Sequence, residues 1–218
     1  ETTPIRLNNI TRIYDSPYSS LNVVGDFLYP AMYLNNGDKF YINQGDSYAY
    51  IIANSGTSTF GGTGGFSGNL VLRNSGVTLD VGQSTPCFGN IYLNGGILRM
   101  SDFAFSADKN FTGSGTIQLW GTKVTYGPTT DLKVTNSLYW QGLTTGKVEL
   151  NAQKTSLSST WTFGGSITLN GNGNILDLSN KGKLIINPGA TLSLENISVK
   201  GLGQNMGNIS FMDDTATL

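Results

Sequence analysis

Carboxylates are the side chains of this sequence that could do chemistry, because its 218 residues include no histidine. The lack of histidine excludes Ser/His/Asp and Cys/His nucleophile systems and the usual zinc sites. A glycosidase needs two carboxylates about 5 to 10 Å apart, and a polysaccharide lyase gathers aspartates around calcium beside a Lys or Arg base. The single cysteine, Cys87, offers neither a disulfide partner nor metal-ligand spacing. Catalysis therefore depends on where the fold places Asp and Glu.

A short strand pattern recurs through most of the chain. It consists of glycine, any residue, an aliphatic residue, any residue, and then an aliphatic residue or Phe. The pattern is found at Gly68, Gly89, Gly115, Gly146, Gly165, Gly182 and Gly207. The interval between these glycines varies while the strand is retained, which is typical of a solenoid whose loops accept insertions.

Asparagine follows this pattern at a nearly constant distance and predicts a corner. The residues concerned are Asn74, Asn94, Asn151, Asn170 and Asn187. Asn and Gly adopt the left-handed backbone conformation at low cost, so the chain can bend sharply here between two strands. We expect these five asparagines to stack from one repeat to the next as a structural corner ladder.

Two folds could use such corners. Hairpin turns would give an antiparallel sandwich or barrel, whereas corners that stack directly would give an all-β parallel β-helix. The recurrence of the same corner residue favours the β-helix, in which each full turn of the coil forms one rung. The alternation predicts an inward set, Leu70, Leu72, Ile91, Leu93, Ile117 and Leu119, and an outward set, Val71, Tyr92 and Gln118.

The glycine patterns with asparagine corners resemble bacterial right-handed parallel β-helices, the kind found in autotransporter passengers and chlamydial polymorphic outer-membrane proteins. The resemblance covers residues 66–218, and "GSITLNGNGNILDLSNKGKLIINPGATLSLENISVKG" (165–201) is closest in style. It implies a right-handed coil and an adhesin-like role at a cell surface.

In such a coil the acids are predicted to be too dispersed for catalysis. The outward column after the corner is expected to carry Asp80, Arg99, Thr125, Asp177 and Ser193. Adjacent rungs lie about 4.8 Å apart, so Asp80 and Asp177 would not share a metal ion, and Asp80 beside Arg99 predicts a surface ion pair. Glu149 and Glu195 are expected to be isolated. We predict no catalytic residue, no cofactor and no metal site.

Residues 1–60 lack the pattern and hold most of the tyrosines. We predict an N-terminal cap or assembly region here, because an open first rung would expose unpaired backbone groups. Its candidate partner surface consists of Tyr14, Tyr18, Tyr29 and Tyr33. Residues 61–218 are predicted to form the β-helix rungs, which continue beyond or stack at the C-terminal end.

Composition narrows the range of partners. The net charge is −1 and no Lys/Arg-rich run occurs, so nucleic acid is not an expected partner. No apolar run approaches the roughly 20 residues of a transmembrane helix. The sequons at Asn9, Asn110, Asn196 and Asn208 would matter only in a eukaryotic secretory pathway. A start without Met and a strand-like end, "DDTATL", suggest a mature product or a fragment.

The sequence therefore predicts a non-catalytic extracellular or cell-surface β-helix, an adhesin-like stalk or passenger that binds a protein or glycan at a cell surface. One alternative is a structural subunit of a self-assembling extracellular filament, whose copies join end to end. A second alternative is a polysaccharide-processing β-helix enzyme that uses surface carboxylates.

Overall fold

The chain coils into a solenoid of short parallel strands. The computed structural model describes residues 5–7, 21–23, 30–42, 46–47, 50–62, 65–66, 68–82, 90–100, 109–121, 131–135, 137–203 and 207–218. Within these ranges there is no helix, and each strand pairs in parallel with its equivalent one rung away. The exception is β2 (Leu21–Val23), which pairs antiparallel with β3 (Pro30–Leu34). The predicted parallel β-helix is confirmed.

Each complete rung carries strands on three faces, named here in the order in which the chain visits them. The first face holds β3 (Pro30–Leu34), β6 (Tyr50–Ala53), β9 (Asn69–Leu72), β16 (Thr160–Phe163), β19 (Lys183–Ile186) and β22 (Ile209–Phe211). The second face holds β1 (Ile5–Leu7), β4 (Lys39–Ile42), β7 (Gly56–Gly62), β10 (Val77–Gly82), β17 (Ser166–Asn170) and β20 (Thr191–Glu195). Three long strands run round the corner from the first face to the second: β11 (Asn90–Met100), β12 (Lys109–Leu119) and β14 (Leu138–Leu150).

The third face is built from β13 (Leu132–Val134), β15 (Lys154–Leu157), β18 (Ile175–Asp177) and β21 (Ser198–Lys200). Nearer the N-terminus, the short strands β5 (Asp46–Ser47) and β8 (Gly65–Phe66) pair separately. A rung takes about 20 residues, as the pairs of Leu70 with Ile91 and of Trp161 with Leu184 show.

The core fills the inside of the coil with ladders of apolar side chains. All six residues that the alternation predicts to point inward are buried, and Val71, Tyr92 and Gln118 lie on the outside as predicted. The first face adds an aromatic ladder, in which the rings of Phe111 and Trp140 stack with centroids 4.3 Å apart. Phe163 stacks on the other side of Trp140 at 6.1 Å. Such offset-stacked pairs add to the stability that apolar burial supplies.

Two of the glycines that precede apolar pairs lie where neighbouring rungs approach closely. A Cβ atom at Gly165 would collide with the carbonyl oxygen of Leu143 in the preceding rung. A Cβ atom at Gly182 would collide in the same way with the carbonyl oxygen of Leu157. These positions therefore accept no side chain without displacing a strand.

The repeated pattern occurs on two different faces. The strands after Gly68, Gly89, Gly182 and Gly207 lie on the first face, whereas those after Gly115, Gly146 and Gly165 lie on the second. Both faces must alternate apolar and polar residues against the same core, so both produce the same motif. The varying interval between the glycines therefore reflects alternation between faces as well as loop length.

Parallel stacking begins well before the predicted boundary at residue 61. Strand β6 pairs in parallel with β3, and β7 pairs with β4. These four strands therefore already contribute rungs, although they lack the glycine pattern. The antiparallel strand β2 pairs with the edge of β3 that faces away from β6, at the N-terminal end of the first face.

Candidate functional site

The corner between the first and second faces carries a hydrogen-bonded stack of asparagines. Asn54 Nδ2 donates to Asn35 Oδ1 at 2.9 Å, and Arg73 donates in turn to Asn54 Oδ1 at 2.8 Å. Asn74 Nδ2 donates to the backbone oxygen of Asn54 at 3.2 Å, and Asn94 Nδ2 donates to that of Arg73 at 3.0 Å. The side chains of Asn74 and Asn94 thus tie each rung to the one before it.

A second group of asparagines lies at the corner between the second and third faces. Asn172 Nδ2 donates to Asn151 Oδ1 in the preceding rung at 3.0 Å. Asn170 Oδ1 accepts the backbone N–H of Asn172 at 2.9 Å, so it closes a turn within its own rung. Asn174 Nδ2 reaches back to the carbonyl oxygen of Leu150 at 2.9 Å.

The five predicted asparagines therefore do not form one ladder, which corrects the expectation from the sequence. Asn74, Asn94 and Asn187 lie at the first corner, and Asn151 and Asn170 lie at the second. The reason is that a fixed offset from the glycine pattern leads to a different corner on each face. Asn35, Asn54 and Asn172 were missed, because the first two precede the repeat region and the third follows a glycine rather than a strand.

Outward polar side chains of the second face form a ladder across four rungs. Arg99 Nη1 lies 3.4 Å from Asp80 Oδ1, which confirms the predicted ion pair. Arg99 Nε donates to Gln118 Oε1 at 3.0 Å, and Gln118 Nε2 donates to Glu149 Oε2 at 2.8 Å. Lys147 then pairs with Glu149 at 2.8 Å, and this carboxylate raises the pKa of the Lys147 ammonium. The side chains of this column hold one another in place.

The register of this column differs from the prediction beyond Arg99. The observed sequence continues through Gln118, Glu149, Asn170 and Glu195. Asp177 lies on the third face, where it pairs with Ser156 and Lys200. Ser193 belongs to the neighbouring outward column of the second face, opposite Thr168. Thr125 is outside the described residues. The prediction failed because it treated the third-face strand of Asp177 as equivalent to strands of the second face, and because it placed Ser193 two residues out of register on β20.

A polar groove of about 340 Å³ crosses three rungs of the third face. Its lining consists of Lys133, Thr135, Lys154, Ser156, Leu157, Ser158, Asp177, Ser179 and Asn180. Ser156 lies between Lys133 and Asp177 in the register of the sheet. Since serine is much smaller than lysine or aspartate, the middle rung forms the floor of the groove.

One ion pair organises the charge in this groove. Lys154 Nζ lies 2.7 Å from Asp177 Oδ2, and the backbone N–H of Ser179 donates to Asp177 Oδ1 at 3.0 Å. Both interactions favour the ionised carboxylate, so the pKa of Asp177 is well below its ordinary value. The same carboxylate raises the pKa of Lys154. Sequence reasoning missed the groove, because the third face lacks the glycine pattern.

Of the four tyrosines predicted as a partner surface, Tyr33 is the one that the structure describes; Tyr14, Tyr18 and Tyr29 lie outside the described residues. Tyr33 begins an outward column of the first face that continues with Ile52, Val71 and Tyr92. The guanidinium carbon of Arg73 lies 6.0 Å from the centre of the Tyr33 ring, within reach of a cation–π contact. Tyr33 therefore borders the asparagine corner.

The sequons differ in their accessibility. Asn110 is exposed on β12, and Asn196 is exposed at a corner with φ of 44°. Asn208 is 3% exposed, and its amide donates to the carbonyl oxygen of Gly182 at 2.7 Å. Asn9 is outside the described residues. Asn208 is thus a structural residue in the folded chain rather than a site for a bulky modification.

The last rung exposes apolar side chains. The large exposed hydrophobic residues at this end are Leu202, Phe211, Met212 and Leu218. Strands β21 and β22 are the outermost members of their sheets, so each has one edge without a partner strand in the described part of the chain. In the described part of the chain, the backbone groups and inner side chains of this rung are therefore uncovered and form an open end.

These features define a parallel β-helix, or β-solenoid, with polar ladders on its outside. No family model matches the chain, and no curated protein or solved structure matches it either. Over the residues that the structure describes, no three acidic or cysteine side chains are grouped so that they could hold a metal ion. The same ranges contain no helix that is long and apolar enough to cross a membrane.

Proposed function

We propose that this chain is a non-catalytic β-helix that acts outside the cell or at its surface as an adhesin-like stalk or passenger. In this proposal its long lateral faces bind a protein or glycan. The observation that carries the proposal is the use of the outward acids in structural contacts. Asp80 and Asp177 each form an ion pair with a cationic side chain on a neighbouring strand. Glu149 pairs with Lys147 of its own strand and accepts a hydrogen bond from Gln118 on the neighbouring strand.

The spacing of the acids also supports a structural role. Asp80 and Glu149 face outward in the same column, with Arg99 and Gln118 on the two rungs between them. At about 4.8 Å a rung, the two carboxylates are on the order of 14 Å apart. A glycosidase pair works at about 5 to 10 Å. The lateral surface therefore suits binding better than hydrolysis.

The test is an adhesion assay on beads coated with the full chain. The beads are passed over an array that carries glycans and extracellular proteins, and beads coated with heat-unfolded chain are the control. Retention of native beads on at least one printed class, without release of sugar ends, is the expected result. Retention no greater than the control would overturn the proposal. Sugar release that is lost in Asp80→Asn or Asp177→Asn would favour the enzyme instead.

The open end of the last rung favours a second candidate, a subunit that polymerises end to end. Phe211 is 48% exposed and Met212 is 58% exposed there, beside the unpaired edges of β21 and β22. Strand edges of this kind pair readily with another copy, and a head-to-tail contact of one surface with another grows into a filament.

Light scattering of the concentrated chain tests this candidate. A filament subunit would scatter increasingly with time, and Met212→Asp would suppress the growth because it places a charge at the open end. Tyr92→Asp is the matched control, since Tyr92 is an exposed side chain on the first face, away from that end. Constant scattering by the unmodified chain would reject the filament.

A further inference from the structure

The groove of the third face has the chemistry of a binding site for a polyhydroxylated ligand. Its lining offers the hydroxyl groups of Thr135, Ser156, Ser158 and Ser179 and the amide of Asn180. Hydroxyl and amide groups both donate and accept hydrogen bonds, so they match the hydroxyl groups of a sugar. Its volume of about 340 Å³ lies within the usual range of small-ligand sites.

The charges in the groove select among sugars. Asp177 is neutralised by Lys154 at 2.7 Å and is held by the Ser179 N–H as well. Lys133 lies on the neighbouring rung, opposite Ser156, and forms no ion pair within the described part of the chain. A ligand with one carboxylate would therefore find the ammonium group of Lys133 at one end of the groove, next to the hydroxyl groups of its floor.

Other ligand classes fit less well. A peptide strand would need an open sheet edge, but β15 at the floor already pairs with β13 on one side and β18 on the other. An apolar side chain would need an apolar pocket, whereas Leu157 is the one apolar residue of the lining and is itself buried. The hydroxyl groups of the lining and the ammonium group of Lys133 together favour an acidic sugar.

We propose that this groove binds an acidic sugar unit of a glycan, with the sugar carboxylate at Lys133 and the sugar hydroxyl groups at Ser156 and Ser158. The inference rests on the proposed adhesin-like function and names the ligand class and the face that binds it. The three lining rungs span roughly 10 Å, so the sugar chain lies across the strands, along the axis of the solenoid.

Calorimetric titration of the full chain with trigalacturonate tests the proposal, and neutral trigalactose is the matched ligand control. We expect saturable binding of trigalacturonate and about tenfold weaker binding of trigalactose, since a charge-assisted hydrogen bond to Lys133 is lost. Lys133→Gln should weaken trigalacturonate binding about tenfold, to the level of the neutral ligand. Lys39→Gln, which changes an exposed lysine on the second face, should leave it unchanged.

A second variant tests the floor of the groove. Ser156→Leu fills it from an outward position and should abolish binding of both trisaccharides while the thermal unfolding midpoint stays near that of the unmodified chain. No saturable binding of trigalacturonate, equal affinity for both ligands, or an unaffected Lys133→Gln variant would each overturn the groove proposal. If the beads adhere while trigalacturonate fails to bind, the groove proposal fails alone. If trigalacturonate binds and the beads do not adhere, the adhesin-like function fails alone.

Discussion

Phe163 and Phe211 occupy the same inward column of the first face, two rungs apart, yet their surroundings differ completely. Phe163 pairs with Ile186, which pairs with Phe211. Phe163 is fully buried beside Trp140, whereas Phe211 in the last rung is 48% exposed. An inward side chain of a solenoid is thus covered by the next rung rather than by its own strand. Stability is therefore a property of neighbouring rungs taken together.

The largest expected difference in the free energy of unfolding is between variants that remove one or the other of these two rings. Phe163→Ala should lower the free energy of unfolding by about 3 to 5 kcal/mol, because it leaves a cavity among buried rings. Phe211→Ala should lower it by about 1 kcal/mol or less, since half of the ring already faces water. Denaturant titration of both variants measures the difference. Equal losses would show that the last rung is covered in solution.

Disrupting the outward ladder of the second face should lower the free energy of unfolding by an intermediate amount. Gln118 is its central member, donating to Glu149 and accepting from Arg99. Gln118→Leu removes both hydrogen bonds and should cost about 1 to 2 kcal/mol. Ser210→Leu, an outward change in the terminal rung, is the control and should stay within about 0.5 kcal/mol. Similar values for the two variants in denaturant titration would contradict a stabilising ladder.

The asparagines at the corners should differ in how much each contributes to the free energy of unfolding, because they make different contacts. Asn94→Ala removes the hydrogen bond to the Arg73 carbonyl oxygen and should cost about 1 kcal/mol. Asn187 uses its backbone groups, which bond to Phe163 and Ala190. Asn187→Ala should therefore change the free energy of unfolding by only a few tenths of a kcal/mol. The reverse order in denaturant titration would show that the corner stack is assigned to the wrong residues.

The smallest effect concerns the dependence of stability on pH. The pKa of Asp177 is lower in the folded chain than in the unfolded one, because Lys154 and the Ser179 N–H favour its ionised form. Its stabilising contribution is therefore present above about pH 4 and is lost as the pH falls from there towards the folded-state pKa. Asp177→Asn should lower the thermal midpoint at pH 7 and flatten its decline in acid.

The matched control for this pH experiment is Asp214→Asn, at the exposed end of the chain. It should leave the thermal midpoint at pH 7 and its decline in acid close to those of the unmodified chain. An Asp177→Asn variant whose midpoint follows the unmodified chain at every pH would show that the ion pair with Lys154 does not contribute to stability.

Much of the fold could be predicted from the sequence, and the reason is visible in single strands. Inward residues such as Leu70 and Ile91 alternate with outward residues such as Val71 and Tyr92, because one side of each face packs on the core and the other faces solvent. The pattern could not tell the first face from the second, since both pack on the same core. Asp177 was placed in the wrong column because it lies on the third face, and Ser193 because the alternation does not distinguish one outward residue of β20 from the next.

The groove of the third face could not be predicted from the sequence. The groove depends on Ser156 lying between Lys133 and Asp177, which are 23 residues before it and 21 after it in the chain. Such neighbours are set by the length of each rung, and the strands of the third face carry no glycine pattern. The ion pair of Asp80 with Arg99 could be predicted, because both follow the same corner in consecutive rungs.

Sedimentation velocity across a concentration series distinguishes a single chain that binds through its sides, as proposed, from a subunit that assembles through its end. We expect one boundary at every concentration, corresponding to an elongated monomer of 23.3 kDa. A sedimentation coefficient that rises steadily with concentration would contradict this expectation. That result would make the open end of the last rung the functional surface and self-assembly the function.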